Sequence, residues 1–200
     1  MTDLFNEKAT DWDADDMVQQ LSTAISSEII KQVSPDKSMH VMDFGAGTGL
    51  ICSHIAPLVN KITAVDISQA MLNKLIEKPE LKDKVETVCQ NIIDEPLKNH
   101  FDLIVSAMAM HHVEFTEELI QRFSEHSKSG ARIALADLDK EDGSFHPADI
   151  EGVFHHGFEQ EELFTILDNN GFIKINFQTV ITVNKDGKNY PIFLVIATKK

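Results

Sequence analysis

The segment that most constrains the fold of this 200-residue chain is His40–Leu50, with the sequence HVMDFGAGTGL. Apolar residues lead into Asp43, and three glycines then follow at alternate positions before a helical pattern begins. This order predicts a strand, a glycine turn and the N-terminus of a helix. Glycines permit a tight turn and let a ligand approach the backbone without a Cβ in the way. The free N–H groups of the following helix face the same place.

A second acidic residue stands at the end of the next apolar run. Residues 62–65 are apolar or small and are followed by Asp66, which predicts a second strand with a carboxylate at its end. An acid in this position can accept hydrogen bonds from both hydroxyls of a ribose. The glycine turn and Asp66 together predict a pocket for an adenosine-containing cofactor.

The spacing of the glycines separates two classes of cofactor. The nicotinamide fingerprint G-x-G-x-x-G would place its last glycine at Leu50, whereas this chain has Gly45, Gly47 and Gly49 after Asp43. A dinucleotide presents a pyrophosphate to the helix N-terminus, and the Asp43 carboxylate would repel it. S-adenosylmethionine presents a cationic amine and a sulfonium instead, which suit an acid beside the glycines. The segment resembles D-x-G-x-G-x-G, the first motif of the class I S-adenosylmethionine-dependent methyltransferases.

Composition limits the partners and the compartment. The net charge is −14, from 18 basic and 32 acidic residues spread along the chain, so a basic nucleic-acid-binding face is not expected. No run approaches the length of a membrane span, and the acidic N-terminal region has no apolar signal core. Cys52 and Cys89 lie in apolar runs, which predicts buried thiols, and the absence of a disulfide framework favours a reducing compartment. We expect a cytoplasmic protein, monomeric or homodimeric, without nucleic-acid or membrane partners.

Strand and helix patterns alternate over residues 39–137 and then stop. Strands are predicted at 39–44, 61–66, 85–89, 101–106 and 131–137, with helices at 17–33 and after residues 49, 68 and 116. A long loop follows, in which Phe145, Phe154 and Phe158 are expected to form an apolar inner face. A helix at 159–169 and two strands at 172–183 and 190–198 come next. An Asp-Gly turn signal joins these last strands, which predicts an antiparallel hairpin. The alternation predicts a parallel sheet with right-handed crossovers, closed by that hairpin.

This arrangement is similar to the seven-stranded sheet of the class I methyltransferases. The resemblance implies an α/β, Rossmann-like fold with strand order 3-2-1-4-5-7-6, strand 7 antiparallel and helices on both faces. Residues 5–13, FNEKATDWD, resemble the F-x-x-x-A-x-x-Y-D lead-in of small-molecule methyltransferases such as those of quinone biosynthesis, with Trp12 in place of Tyr. We therefore divide the chain into a lid segment and helix (1–34) and a methyltransferase domain (35–200), in which 138–158 is a substrate-side loop. The alternative for the first segment is a frayed terminus whose Trp12 docks on the core.

The resemblance assigns residues to the cofactor S-adenosylmethionine, with S-adenosylhomocysteine as product. The glycine turn would line its methionine and ribose parts, with Asp43 near the amine and Asp66 on the ribose. Asn91 stands where the family often has an acid for the adenine amino group, and Asp94 is the other candidate. Met71 has an alternative role in the core. The candidate cofactor-binding residues are Trp12, Asp43, Gly45, Ala46, Gly47, Gly49, Asp66, Ile67, Met71, Asn91, Ile92 and Ala107.

Two histidine-bearing segments are expected to meet over the methyl group. Methyl transfer mainly needs alignment, and a base is required only if the acceptor has a proton to lose. His111 and His112 follow the fourth predicted strand, and the loop after the fifth carries His146, His155 and His156. We take His111, His146 and His155 as candidate catalytic bases.

Two other roles for these histidines stay open. They can hydrogen-bond to loop backbone, or His146 can bind zinc or iron together with His155 or His156 and Asp142. Because the spacing matches no familiar ligand pattern, no metal ligands are assigned.

The expected function is methyl transfer from S-adenosylmethionine to a small molecule through a thiol, amine, hydroxyl or carbon. The alternatives are a nicotinamide-dependent oxidoreductase and a non-catalytic S-adenosylmethionine-binding protein.

Overall fold

The computed structural model describes residue 3 and residues 5–147 and 150–200. In this part of the chain, seven strands form one sheet in the order β3-β2-β1-β4-β5-β7-β6. The first five strands are parallel, and β7 runs antiparallel to both β5 and β6. The predicted fold class and strand order are confirmed. The strands are β1 His40–Phe44, β2 Lys61–Asp66, β3 Val85–Cys89, β4 Phe101–Ala107, β5 Ser127–Leu138, β6 Phe172–Lys185 and β7 Lys188–Lys199.

Five α-helices are described, and local side chains fix where two of them begin. The Asp15 carboxylate accepts from the backbone N–H groups of Met17 and Val18, and the Ser68 hydroxyl accepts from that of Met71. Both are N-cap bonds that satisfy otherwise unpaired donors of the first turn. The helices are α1 Asp16–Val33, α2 Leu50–Ile55, α3 Gln69–Ile76, α4 Thr116–His126 and α5 Gln160–Asn169. None of the described helices is both long and apolar enough to cross a membrane.

Two apolar cores lie on opposite faces of the sheet. Successive side chains of a strand point to opposite faces, and Val41 of β1 belongs to the core packed by α1, α2 and α3, whereas Met42 belongs to the core packed by α4 and α5. The same alternation holds for Leu103 and Ile104 of β4. Helices therefore cover both faces, which leaves the carboxyl-end edge of the parallel strands for the loops that carry the site.

The segment between β5 and α5 is a long connection whose two ends are tied together. The backbone N–H of Glu141 donates to the carbonyl of His156 at 2.9 Å, and Asp139 forms a bridge with Phe158. Phe145 and Phe158 are buried, as the predicted apolar inner face requires. Phe154 was expected on that face too, but it is 51% exposed. Its backbone N–H donates to the carbonyl of His111, which joins this part of the loop to the segment after β4 while the ring stays in solvent.

Cys52 and Cys89 differ in their environment. Cys52 is buried in α2, as predicted, but Cys89 is exposed. The prediction for Cys89 was wrong because it ends β3, a strand with a neighbour on one side only in the described sheet. A strand at the edge of a sheet can leave alternate side chains in solvent, and the apolar residues around Cys89 did not distinguish this position from a central strand.

Candidate active site

The glycine turn has one packed side and one open side. Gly45 (φ +68°) lies against the loop after β4, and a Cβ placed on it would lie 2.2 Å from the Cβ of Ala109. Gly47 (φ +54°) is different, because a Cβ placed there would have no heavy atom of the described residues within 4 Å. Both positions require a left-handed backbone, which glycine adopts at little cost. The open side at Gly47 is where a ligand can approach the backbone.

Asp66 joins the glycine turn to the start of α3. Its Oδ2 accepts from the backbone N–H of Gly47 at 2.7 Å, and its Oδ1 accepts from that of Ser68 at 2.8 Å. Burial raises the pKa of the Asp66 carboxyl, and the two backbone donors oppose this shift. Each carboxylate oxygen has a further lone pair. Asp66 can therefore hold the turn and still accept hydrogen bonds from ribose hydroxyls.

Asp43 is the buried acid of the site. Its side chain is only 2% exposed, and the Cys52 thiol donates to its Oδ2 at 3.0 Å. Burial raises the pKa of Asp43 to about 7, and the nearby Asp66 charge acts in the same direction. A bound cation would favour the ionised form. The carboxylates of Asp43 and Asp66 and the open side of Gly47 thus fit a ligand with an ammonium group and a ribose.

The remaining candidates for cofactor contacts lie in different surroundings. Asn91 already uses its side chain locally, since Oδ1 accepts from the N–H of Ile93 at 3.1 Å and Nδ2 donates to Asp94 at 2.7 Å. Ile92 is fully buried in the core under α4 and α5, whereas Ile67 is 55% exposed. Ala46 lies in the glycine turn, and Gly49 comes directly before α2. Met71 is buried in α3, and Ala107 is the last residue of β4. Their contacts with a cofactor stay predictions.

The segment before α1 spans the loops of the site. Asp13 accepts from the Thr48 hydroxyl at 2.5 Å and pairs with Lys78 at 2.7 Å. Asp3 accepts from the Ser68 hydroxyl at 2.8 Å.

An aromatic side chain of the same segment also contacts the loop after β4. The Phe5 ring packs edge-on against Trp12 and, with ring centroids 5.1 Å apart, against His112. The segment therefore bridges the glycine turn, the end of β2 and the loop after β4, which is the place a lid would take.

A buried acid and a histidine pair at the ends of β4 and β5. Asp137 is fully buried, and its Oδ1 lies 2.7 Å from Nδ1 of His111. Oδ1 also accepts from the backbone N–H of Leu138 at 2.8 Å, and Oδ2 accepts from that of His111 at 3.2 Å. Asp137 is not among the candidate site residues named from the sequence. Its position after an apolar strand, like that of Asp43 and Asp66, was the signal for a site residue.

Three imidazoles cluster beside this pair. The ring centroids of His111 lie 4.1 Å from His112 and 5.0 Å from His146. Among the described residues, neither Nε2 of His111 nor Nε2 of His146 has a hydrogen-bond partner, although both atoms are buried. Burial first, and the neighbouring His111 second, lower the pKa of His112 and of His146 to about 4. Both rings are therefore neutral at physiological pH and can accept a proton or a hydrogen bond.

The other loop histidines are engaged elsewhere. His155 places Nε2 2.9 Å from the carbonyl of Val113 and 3.2 Å from the Thr116 hydroxyl. His156 faces Glu141, and Asp142 accepts from Lys188. The two predicted segments thus meet through His111, His112 and His146. In the part of the chain that the structure covers, no three His, Cys, Asp or Glu side chains are grouped to hold a metal ion.

Comparison with known families and sequences gives one consistent result. The family described as "Methyltransferase domain" matches residues 17–175. An uncharacterized methyltransferase of Schizosaccharomyces pombe is 32% identical over 148 residues, which are 66% of this chain and 52% of that protein. This chain therefore spans about half of the length of that relative.

Solved structures share the fold at low sequence identity. A chain from the complex between the Haloferax volcanii Trm112 methyltransferase activator and a methyltransferase has a TM-score of 0.82 and 13% identity, covering 99% of this chain and 98% of that one. Haemonchus contortus phosphoethanolamine N-methyltransferase 2, in complex with S-adenosyl-L-methionine, has a TM-score of 0.73 and 15% identity, covering 87% of this chain and 52% of that one. At these identities the likeness is one of fold.

Proposed function

This chain belongs to the methyltransferase domain family, a class I family that uses S-adenosylmethionine, and we propose that it methylates a small-molecule acceptor. One observation carries the proposal. The glycine turn, which is open at Gly47, contacts the loop after β4 through Gly45 and Ala109, and His111 of the same loop meets His146. A place for the cofactor and a place for an acceptor thus share one edge of the sheet.

The residues at the glycine turn would hold the cofactor. When bound, S-adenosylmethionine supplies a methyl group on a sulfonium, which is already a good leaving group. Asp43 would face the ammonium group, and Asp66 would accept from the ribose hydroxyls. Gly47 would let the cofactor lie against the backbone. These assignments agree with those proposed from the sequence.

The chain's own contribution to the chemistry is alignment, exclusion of water and acceptance of a proton. The segment from Phe5 to Asp13 contacts the glycine turn and the histidine cluster at once, which supports its role as a cover over both. Nε2 of His111 and Nε2 of His146 are both buried without a partner among the described residues, in rings whose centroids lie 5.0 Å apart. We rank them above His155 as proton acceptors, because its Nε2 already contacts Val113 and Thr116.

A small acceptor is supported by charge and by enclosure. The net charge of −14 disfavours a phosphate backbone as partner. His111 is buried, and His112 and His146 are half-buried between the loops after β4 and β5, an enclosure that suits a compact acceptor.

Calorimetry followed by a transfer screen tests the proposal. We expect S-adenosylhomocysteine to bind and NAD not to bind, because Asp43 disfavours a pyrophosphate at the turn. With methyl-labelled cofactor, label should then appear on members of a panel of thiols, amines and phenols. Binding of NAD alone would overturn the family-level assignment of the pocket. Binding of S-adenosylhomocysteine with label transferred only to added protein or RNA would overturn the small-molecule assignment.

A further inference from the structure

We propose that Asp137 is a positioning residue that holds His111 as the Nδ1–H tautomer, so that Nε2 of His111 is the base for an acceptor that must lose a proton. The acceptor class is then a protic nucleophile, such as a hydroxyl or thiol, and not a thioether or a tertiary amine. The inference rests on the proposed methyltransferase function and adds to it the state of one imidazole and the chemistry of the acceptor.

The hydrogen-bond donors around Asp137 determine whether the proton between Asp137 and His111 resides on the carboxylate or on the imidazole. The backbone N–H groups of Leu138 and His111 occupy Oδ1 and Oδ2, at 2.8 and 3.2 Å, and a peptide N–H can only donate. Hydrogen bonds to both oxygens favour the carboxylate over the carboxylic acid. An imidazole is ordinarily a stronger base than a carboxylate, so a proton between the two resides on the ring. The Nδ1 atom of His111, 2.7 Å from Oδ1, is therefore the donor.

The opposite nitrogen of His111 is left with a bare lone pair. Its Nε2 is buried and has no partner among the described residues, and the same is true of Nε2 of His146. Buried polar atoms without partners are uncommon and costly to stability, so a ligand that supplies a donor is expected there. His146 is neutral because burial lowers its pKa to about 4, and it adds no positive charge beside His111.

The position of the pair relative to the glycine turn suits proton transfer during methylation. Ala109 packs on Gly45, and His111 follows two residues later in the same loop, so His111 and the turn that would hold the cofactor belong to the same edge of the sheet. The acceptor atom forms a bond to the methyl carbon while the carbon–sulfur bond breaks, and that electron pair stays on sulfur. The acceptor's proton moves to Nε2 of His111. The carboxylate of Asp137 stabilises the resulting imidazolium, as the acid does in Ser-His-Asp sites.

The tautomer is measurable in the free protein. Long-range ¹H–¹⁵N correlation spectra of uniformly ¹⁵N-labelled protein separate protonated from bare ring nitrogens, and the His111→Gln variant assigns the His111 signals. We expect a protonated Nδ1 and a bare Nε2. A protonated Nε2 with bare Nδ1 would overturn the proposal, whatever the enzyme methylates. This measurement needs neither cofactor nor turnover.

A matched pair of variants tests the catalytic consequence. An Asn at position 137 has one acceptor oxygen for three donors, so Asp137→Asn should shift His111 toward the other tautomer and lower single-turnover methylation of a thiol or phenol by ~10²–10⁴-fold. The affinity for S-adenosylhomocysteine should change less than about twofold, because the glycine turn is untouched. Asp139→Asn, two residues away and bonded only to Gln160 among described side chains, should leave the rate unchanged.

The outcomes separate the two proposals. Failure of the wild-type protein to bind S-adenosylhomocysteine would remove the proposed function and leave the measured tautomer standing. Normal binding with an unchanged rate in a folded Asp137→Asn variant would remove only the positioning role. A preferred acceptor that is a thioether or tertiary amine would overturn the acceptor class. Should Asp137→Asn not fold, the tautomer of the wild-type protein still decides the first claim.

Discussion

Alanine substitutions at Gly45 and Gly47 should separate the structural role of the glycine turn from its binding role. Both glycines have φ values in the left-handed region, +68° and +54°, where an alanine costs ~1–2 kcal/mol. At Gly47 the added Cβ meets nothing described within 4 Å, so this strain is the whole expected loss of stability. At Gly45 the Cβ would lie 2.2 Å from that of Ala109, and overpacking adds ~1–3 kcal/mol. The expected losses are therefore ~1–2 and ~2–5 kcal/mol.

The losses of cofactor affinity should rank in the opposite order to the losses of stability, with the larger loss in Gly47→Ala. A methyl group on Gly47 points into the open side where the cofactor is proposed to lie against the backbone. We expect Gly47→Ala to weaken S-adenosylhomocysteine binding at least tenfold, which corresponds to ~1.4 kcal/mol. A methyl group on Gly45 points away from that side, at Ala109, so its binding loss should follow only from its lower stability.

Urea denaturation and calorimetry on the same samples measure both quantities. Stability of domains is typically ~5–15 kcal/mol, so Gly47→Ala should remain folded and its binding can be measured directly. If Gly47→Ala binds S-adenosylhomocysteine as tightly as the wild-type protein, the open side is not the cofactor face. If Gly45→Ala is as stable as Gly47→Ala, the packing of Ala109 on the turn does not constrain this residue.

Three further predictions concern the acids of the site. Asp66→Ala should weaken S-adenosylhomocysteine binding by ~1–3 kcal/mol through lost hydrogen bonds to a charged group, and unchanged affinity in calorimetry would remove the ribose assignment. The folded-state pKa of Asp43, about 7, exceeds its ordinary 3.8, so the folded protein binds more protons between these values and its free energy of unfolding should fall as pH rises across them. Asp66, whose pKa burial also raises, acts with the same sign. In Asp43→Asn the fall measured by urea titration should be smaller, and an identical slope would contradict the assignment. Asp13→Ala removes the contacts to Thr48 and Lys78, so limited proteolysis before α1 should become several-fold faster, with Asp11→Ala as control; equal rates would show that these contacts do not hold the segment.

Local patterns in the sequence were sufficient for the elements and their order. Some structural features depend only on residues that are neighbours in the chain, so they can be predicted from the sequence. They include the glycine spacing after Asp43, the N-cap at Ser68 and the Asp186-Gly187 turn. Alternating strands and helices leave few topologies because crossovers are right-handed. The sheet order followed from these rules together with the family resemblance.

The environment of single side chains was harder to predict from the sequence. Phe154 and Cys89 were expected to be buried and are exposed. Apolar composition does not show which face of a loop is the inner one, and it does not distinguish a central strand from an edge strand. Asn91 was assigned to adenine from its position in the chain, yet its amide is already bonded to Ile93 and Asp94. Hydrogen-bond partners depend on geometry within a few tenths of an ångström, which the spacing of residues along a chain does not specify.

The sequence alone determined the sheet, the glycine turn and the acids at the ends of β1 and β2, because hydrophobic periodicity and glycine spacing express local backbone preferences. It also indicated that two histidine-bearing segments would share one edge of the sheet. Only the tertiary structure decided that Nδ1 of His111 faces the carboxylate of Asp137. His111 and Asp137 are 26 residues apart, and their 2.7 Å contact exists because β4 and β5 pair in parallel and end together. The same pairing buries the carboxylate among backbone donors, and that enclosure gives the histidine its proposed role.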